Sequence, residues 1–378
     1  LYVQFTNPAG YPPLEHSSRM AADDGWEVLF LGTGAHGADS LRFRPHPRIR
    51  VKRLPRLPGD GRTVFRYLYF MAWVLGWVLV WRPSRVYASD FLTCPIALLL
   101  TFAPGLKVIY HEHDSPPSGA GDLARRVCLR ARRLLAPRAA LCVLPNATRA
   151  ERFARELGVD GRNTIVCVWN CPAREEVAPP RPQPDADSLW VLYHGSIVPM
   201  RLPRTVVTAL ASLPRAVKLR VIGYETVGHA GYIDQLRALA AELGVADRVE
   251  FVGAVPRSEL LGWSRRSDVG LAFMPKVAQG RDDHAMVGAS NKPFEYLASG
   301  VPLLVADLPD WRRLYVEPGY ALACDPDDPQ SIAAALEWCL THPAERQAMG
   351  ERGRQRIAQD WNYEAQFAPV YNALLCRA

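Results

Sequence analysis

Apolar residues along this chain come in two rhythms. Short, mostly apolar runs at residues 1–6, 28–32, 85–89, 108–111, 141–144 and 164–168 read as strands buried on both faces. Between them, residues 123–135 and 147–157 place apolar positions every three or four residues, the period of a half-buried helix. Strand and helix in regular alternation predict a parallel sheet covered on both sides. The rhythm breaks at residues 172–187, which hold five prolines and no apolar period and read as a stiff linker. It then restarts, with strands at 190–194, 219–223, 249–252, 268–273 and 302–306 and helices at 202–213, 232–243 and 292–299.

The resulting expectation is an α/β protein of two Rossmann-like domains facing a cleft. The first covers residues 1–171, the linker 172–187 and the second domain 188–360; a terminal helix in 361–378 returns to the first domain. Ligands of such folds bind outside the carboxyl ends of the strands. Residues 64–81 are apolar over about the length of a bilayer span. Arg66 and Gly76 interrupt them and a strand pattern follows at once, so a buried helix packed on the sheet is expected. Trp73, Trp77 and Trp81 fall four apart, the spacing of one helix face, turned to the sheet or to a lipid.

Composition adds limits. With 49% hydrophobic and 22% charged residues, the 378-residue chain is neither disordered nor fibrous. Its eight cysteines show no CxxC pair and no metal-ligand spacing, which fits a reducing compartment. The net charge of +7 is uneven. Residues 1–180 hold 24 Lys and Arg against 15 Asp and Glu, a net of +9; the remainder holds 21 against 23, a net of −2. A basic first half suits an anionic partner such as a membrane surface or a phosphorylated acceptor, or is simply a solvated face. Nucleic acid is not expected, because no aromatic–basic platform accompanies the charge. The chain opens on a strand-like run without a charged leader or an initiator Met; a cytoplasmic site, peripheral to the inner membrane face, is expected.

The chemistry concentrates in Ser290-Asn-Lys-Pro-Phe-Glu-Tyr-Leu-Ala-Ser-Gly-Val-Pro-Leu-Leu-Val305. Ser290 or Asn291 suits an N-cap, Pro293 the first turn, and Gly300 the end of a helix that leads into a buried strand. A helix start offers free N–H groups and a partial positive charge to a diphosphate, and Lys292 adds a full one. Glu295, one turn in, can accept two ribose hydroxyls. The same residues also make an ordinary capped helix with a solvated lysine.

The segment resembles the signature of the family-four retaining glycosyltransferases of the GT-B superfamily. The resemblance implies that Glu295 binds the nucleotide ribose and that Ser290, Asn291 and Lys292 meet the pyrophosphate. It extends in order over roughly residues 190–345. Val191-Leu-Tyr-His-Gly-Ser-Ile-Val-Pro-Met-Arg201 is similar to the phosphate-clamping turn, with Gly195, Ser196 and Arg201 as its members. Val221-Ile-Gly-Tyr-Glu225 is similar to the second glycine turn, at Gly223, and Val245–Gly253 resembles the strand whose end, near Val255, meets the base. Two positions depart from the pattern. Val287 stands where the family usually has a second Glu toward the donor sugar, leaving Asp282, Asp283 or His284 as substitutes; Ser196 stands for a phosphate arginine.

In the first half the resemblance is looser. Asn7-Pro-Ala-Gly-Tyr-Pro-Pro13 occupies the place of a glycine loop, so Gly10 and Tyr11 are expected near the acceptor. Val108-Ile-Tyr-His-Glu-His-Asp-Ser-Pro116 is similar to the family's His-Glu motif. There His113 would orient or deprotonate the acceptor hydroxyl, with Asp114 fixing its tautomer; a structural polar cluster is the alternative. No metal site is expected from His111 and His113 alone. Asp325-Pro-Asp-Asp328 reads as a helix cap. What the resemblance implies is transfer of a sugar from a nucleotide-sugar donor to a glycan, lipid-linked or small-molecule acceptor. It also implies retention and no cofactor, with His113, Arg201 and Lys292 as the catalytic residues. A nucleotide-sugar epimerase of the same fold and a degenerate nucleotide-binding protein at a membrane are the alternatives.

Overall fold

The computed structural model describes residues 1–35, 39–55, 63–116, 123–159, 165–180, 188–277 and 285–374. The chain divides into two compact units, Leu1–Asn170 with Tyr363–Ala378, and Cys171–Asn362.

The first unit is built on a seven-stranded sheet, all neighbours parallel, in the order β3-β2-β1-β4-β5-β6-β7. Its strands are β1 (Tyr2–Gln4), β2 (Val28–Thr33), β3 (Ile49–Leu54), β4 (Arg85–Ser89), β5 (Lys107–His111), β6 (Leu141–Leu144) and β7 (Ile165–Cys167). Six match the apolar runs. The exception is β3, hidden in the sequence among arginines: Arg50, Val51 and Lys52 are exposed, as an edge strand allows. The terminal helix Tyr363–Leu374 belongs to this unit, with Tyr363, Phe367 and Val370 buried against Leu14 and Tyr87.

The second unit carries a six-stranded parallel sheet in the order β10-β9-β8-β11-β12-β13. These are β8 (Leu189–Ile197), β9 (Val217–Glu225), β10 (Val249–Gly253), β11 (Val269–Ala272), β12 (Leu303–Ala306) and β13 (Ala321–Cys324). The segment read as a linker is described up to residue 180 and is tied into this unit. Ala178 N–H donates to Ala298 O at 2.9 Å, and Glu176 pairs with Arg257. The Asp325–Asp328 turn caps a helix as expected, Asp328 Oδ1 accepting from Gln330 N–H at 3.0 Å.

The helix Thr63–Trp81 departs from its expectation. Phe70 and Val74 are buried and Trp73, Trp77 and Trp81 pack beside them, but only 11% of the apolar window Val64–Trp81 is buried. The helix rests on the unit along one face, the tryptophan face, with Lys52 4.8 Å from the centre of the Trp77 ring.

Candidate functional site

Both sheets reverse their strand order at an inner pair, β1/β4 in the first and β8/β11 in the second. Polar groups gather at the carboxyl ends of those strands, where the fold leaves a crevice.

In the second unit β8 ends in Tyr193-His194-Gly195-Ser196. Gly195 (φ 107°) pairs with Gly223 (φ 143°) on β9. A Cβ on Gly223 would lie 1.8 Å from the Gly195 carbonyl oxygen, so the close approach itself requires glycine. Over the turn lies Lys292: its Cε and Nζ would stand 2.9 and 3.0 Å from a Cβ on Gly195, and its Nζ is 5.8 Å from the centre of the Tyr193 ring. The helix Lys292–Ala298 holds this position through Phe294, Tyr296 and Leu297, all fully buried. Tyr296 Oη accepts the His194 N–H at 3.1 Å, which fixes the helix to the end of β8.

Glu295 is buried below the lysine, 1% exposed. One oxygen accepts from Arg257 and, at 2.8 Å, from Asn291 Nδ2. The other lies 3.3 Å from His194 Nε2. Neither Glu295 Oε2 nor His194 Nε2 has a hydrogen-bond partner among the described residues. Burial pushes the Glu295 carboxyl up, but Arg257 outweighs it and holds the group ionised below its usual range. Burial lowers His194 to about 4, leaving a neutral imidazole at pH 7. Lys292 is lowered to about 8 by burial and by the Arg201 charge. Arg201 donates to the Met274 sulfur. Ser290 is buried beside Asn291, and Asn291, at the N-cap position, gives its side chain to Glu295 rather than to the helix N–H groups. Ser196 O accepts from Tyr193 Oη. Val255 is half-buried, two positions before Arg257. Asp282, Asp283 and His284 lie outside the described residues; Val287 is half-buried.

Arg257, His194 and Glu176 were missed in the sequence. Arg257 bridges the two carboxylates, meeting Glu176 at 2.6 and 2.9 Å and also Glu295. It stands at the start of the helix Arg257–Arg265 and Glu176 in a proline-rich segment, and nothing in their local spacing joins them to Glu295.

In the first unit His111 and His113 are both buried at the end of β5, their rings 3.7 Å apart. The Tyr11 ring lies 5.2 Å from His113. Gly10 closes the turn Pro8–Gly10; it is exposed, and a Cβ there would meet nothing within 4 Å, so no contact requires glycine. Both His113 ring nitrogens are buried without a hydrogen-bond partner among the described residues, and burial lowers the group to about 4. Asp114 is exposed and does not bond the ring, so it does not fix the tautomer. The carboxylate that organises the edge is Asp90, also missed in the sequence. Its Oδ1 accepts the N–H groups of His113 and Asp114 at 2.9 and 3.3 Å, and its Oδ2 accepts Gln4 Nε2 at 3.0 Å. Asp90 sits at φ 63°, ψ 164°, a region that only glycine enters freely. Three strand ends meet on this one side chain, which explains why the strain is sustained. Burial raises its carboxyl to about 6.

Comparisons with known proteins bear on the family and the fold. Residues 14–170 match the model of the glycosyl transferase 4-like domain and residues 201–371 that of a glycosyl transferase-like family. Glycogen synthase of Mycobacterium tuberculosis is 26% identical over 94% of this chain and 82% of that protein. A GDP-mannose-dependent alpha-(1-6)-phosphatidylinositol monomannoside mannosyltransferase of Mycolicibacterium smegmatis is 26% identical over 74% of this chain and 82% of that protein. Among solved structures, sucrose-phosphate synthase from Thermosynechococcus elongatus superposes with a TM-score of 0.71 at 18% identity, over 99% of this chain and 98% of that one. HepE of Anabaena, in complex with UDP and glucose, gives 0.70 at 17% identity over 99% of each chain.

Proposed function

The chain belongs to the family-four type glycosyltransferases, on the GT-B fold, and from that premise we propose that its second unit holds a nucleoside diphosphate sugar at the end of β8. The observation that carries this is Glu295, a buried ionised carboxylate with one unpartnered oxygen, directly beneath a lysine and beside a glycine turn. Its free oxygen and neutral His194 suit ribose hydroxyls, and Lys292 with Arg201 suits the diphosphate. Those two cations supply the charge that a metal would otherwise bring, so turnover needs no metal. The first unit presents the acceptor, with His113, neutral and without a hydrogen-bond partner at either nitrogen among the described residues, orienting its hydroxyl near Tyr11 and Gly10. The acceptor oxygen bonds to the anomeric carbon as the bond from that carbon to the phosphate oxygen breaks. The nucleoside diphosphate leaves with the electron pair and takes the hydroxyl proton on its phosphate, giving retention. A glycan, lipid-linked or small-molecule acceptor in the cytoplasm fits this reading.

The test is thermal stabilisation by UDP, GDP, ADP, CDP and dTDP of the wild type and of Glu295→Ala. At about 100 times its dissociation constant the right nucleotide adds roughly 2.7 kcal/mol of stability to the wild type and little to the variant. Stabilisation of neither protein by any nucleotide would reject the donor site.

Lys292 makes binding pH-dependent. Its proton leaves the free protein near pH 8, and a bound diphosphate holds it on. Affinity for the nucleotide therefore falls as pH rises from 7 to 9, by up to about tenfold per unit above 8. Calorimetry at pH 9 should also show proton uptake on binding; a flat affinity profile would contradict the placement. Without ligand the sign is opposite. Between about 8 and the ordinary lysine value of 10.5 the unfolded chain holds this proton and the folded chain does not, so the group's contribution to stability rises with pH.

A further inference from the structure

The helix Thr63–Trp81 leaves its outer face uncovered among the described residues. Phe65 is 75% exposed, Leu79 and Val80 are 76% exposed, and Leu68 and Tyr69 share that exposed side. The inner face, by contrast, is held to the unit by Phe70, Val74 and the three tryptophans. A helix anchored lengthwise in this way lies along a surface and does not cross one. The apolar surface continues onto its neighbours. The helix Leu123–Leu135 is joined to it by Cys128 Sγ donating to Tyr67 Oη at 3.5 Å, and it exposes Leu123 and Val127; Phe102 is exposed just beyond the short helix Cys94–Leu100. Contiguous apolar patches of this kind on a folded chain mark interaction sites.

Charge identifies the partner. The three helices carry six arginines and not one Asp or Glu. Arg126, Arg130 and Arg133 stand exposed at every third or fourth position of Leu123–Leu135, interleaved with its exposed apolar residues. Arg138 joins the rim, its guanidinium 5.8 Å from the centre of the Phe102 ring. A second copy of the same surface would set arginine against arginine. A surface that is apolar at its centre, cationic at its rim and built on helices without acids is complementary to an anionic lipid bilayer. We propose that the exposed face of Thr63–Trp81 and the arginine face of Leu123–Leu135 dock this chain reversibly on anionic phospholipid, the first helix lying in the plane of the interface. The inference rests on no part of the donor-site reading.

The experiment is flotation with phosphatidylcholine vesicles, with and without phosphatidylglycerol, at low and high salt. The wild type is expected to float with the anionic vesicles at low salt and to be released by high salt. Each arginine near such a surface is worth about a fivefold change in partitioning. The variant Arg126→Glu/Arg130→Glu/Arg133→Glu therefore loses binding on the order of 10²-fold or more. The variant Phe65→Ser/Leu68→Ser/Leu79→Ser changes exposed positions only and is expected to bind several-fold more weakly with unchanged melting. Nucleotide stabilisation should be the same in both variants and the wild type, which separates this surface from the donor site. Absence of flotation, equal flotation on neutral vesicles, or wild-type flotation of either variant would overturn the proposal. So would a dimer that the serine variant dissociates and that does not bind vesicles, or membrane insertion that resists both high salt and alkaline carbonate.

Discussion

Lys292→Ala is expected to lower kcat on the order of 10²–10³-fold, and Arg201→Ala by a similar factor. The reason is where charge appears. As the bond to the sugar breaks, negative charge grows on the departing diphosphate, and groups already aimed at that position act more strongly on the transition state than on the bound donor. On the proposed reading Lys292 is such a group, held there by the fold at a cost. Burial and Arg201 press its ammonium down to about 8, and a diphosphate is the ligand that relieves both. The loss should therefore appear mainly in kcat, with a smaller change in KM, and melting without nucleotide should not fall, since alanine removes a desolvated charge. Lys292→Arg is a sharper control. Arginine would present a wide planar fork where the lysine presents a compact point charge over the Gly195 turn, so it should not fully restore turnover. Steady-state kinetics across the three variants decide the matter. Turnover near that of the wild type in both alanine variants would remove the diphosphate from this place.

Much of this site was legible because its signals are local. The helix Lys292–Ala298 is marked by Pro293 in its first turn and Gly300 just past its end, and the turn at Gly195 follows a strand of unbroken apolar residues. What stayed hidden depends on contacts between distant segments. Glu176 reads as part of a proline-rich linker, and only the folded chain brings Arg257 between it and Glu295. Asn291 has the composition of a cap, but Glu295 takes its side chain, a choice set by the buried carboxylate. Asp90 was invisible for another reason. Its role rests on a backbone conformation that no residue type announces, held because Gln4, His113 and Asp114 all bond to it. β3 was hidden because an edge strand with arginines pointing to solvent has no apolar run to show. The long apolar helix was legible as a helix, but whether its outer face is covered is a property of the fold around it.

The motif around His113 also contains a structural ion pair, and breaking it gives the largest expected loss of stability. Its neighbour Glu112 points the other way along β5 and is 2% exposed. Arg132 grips it with Nε at 2.5 Å and Nη2 at 2.8 Å, and Tyr110 Oη donates to it at 2.7 Å. The Arg132 guanidinium is 4.7 Å from the centre of the Phe153 ring and almost fully buried. Burial works against its charge, and Glu112 more than offsets that. Glu112 is therefore a structural anchor joining the end of β5 to the helix Leu123–Leu135. Removing Arg132 leaves Glu112 buried and unpaired, so Arg132→Met is expected to cost about 3–5 kcal/mol. Glu112→Gln leaves the buried Arg132 only the partly exposed Glu156 at 3.6 Å and is expected to cost toward the lower end of the same range. The double variant Glu112→Gln/Arg132→Met should recover a large part of that loss, because no charge is then stranded. Urea unfolding of the four proteins completes the cycle. A single variant that loses turnover at unchanged stability would place Glu112 in the reaction instead, and would return the whole His-Glu-His segment to the acceptor site.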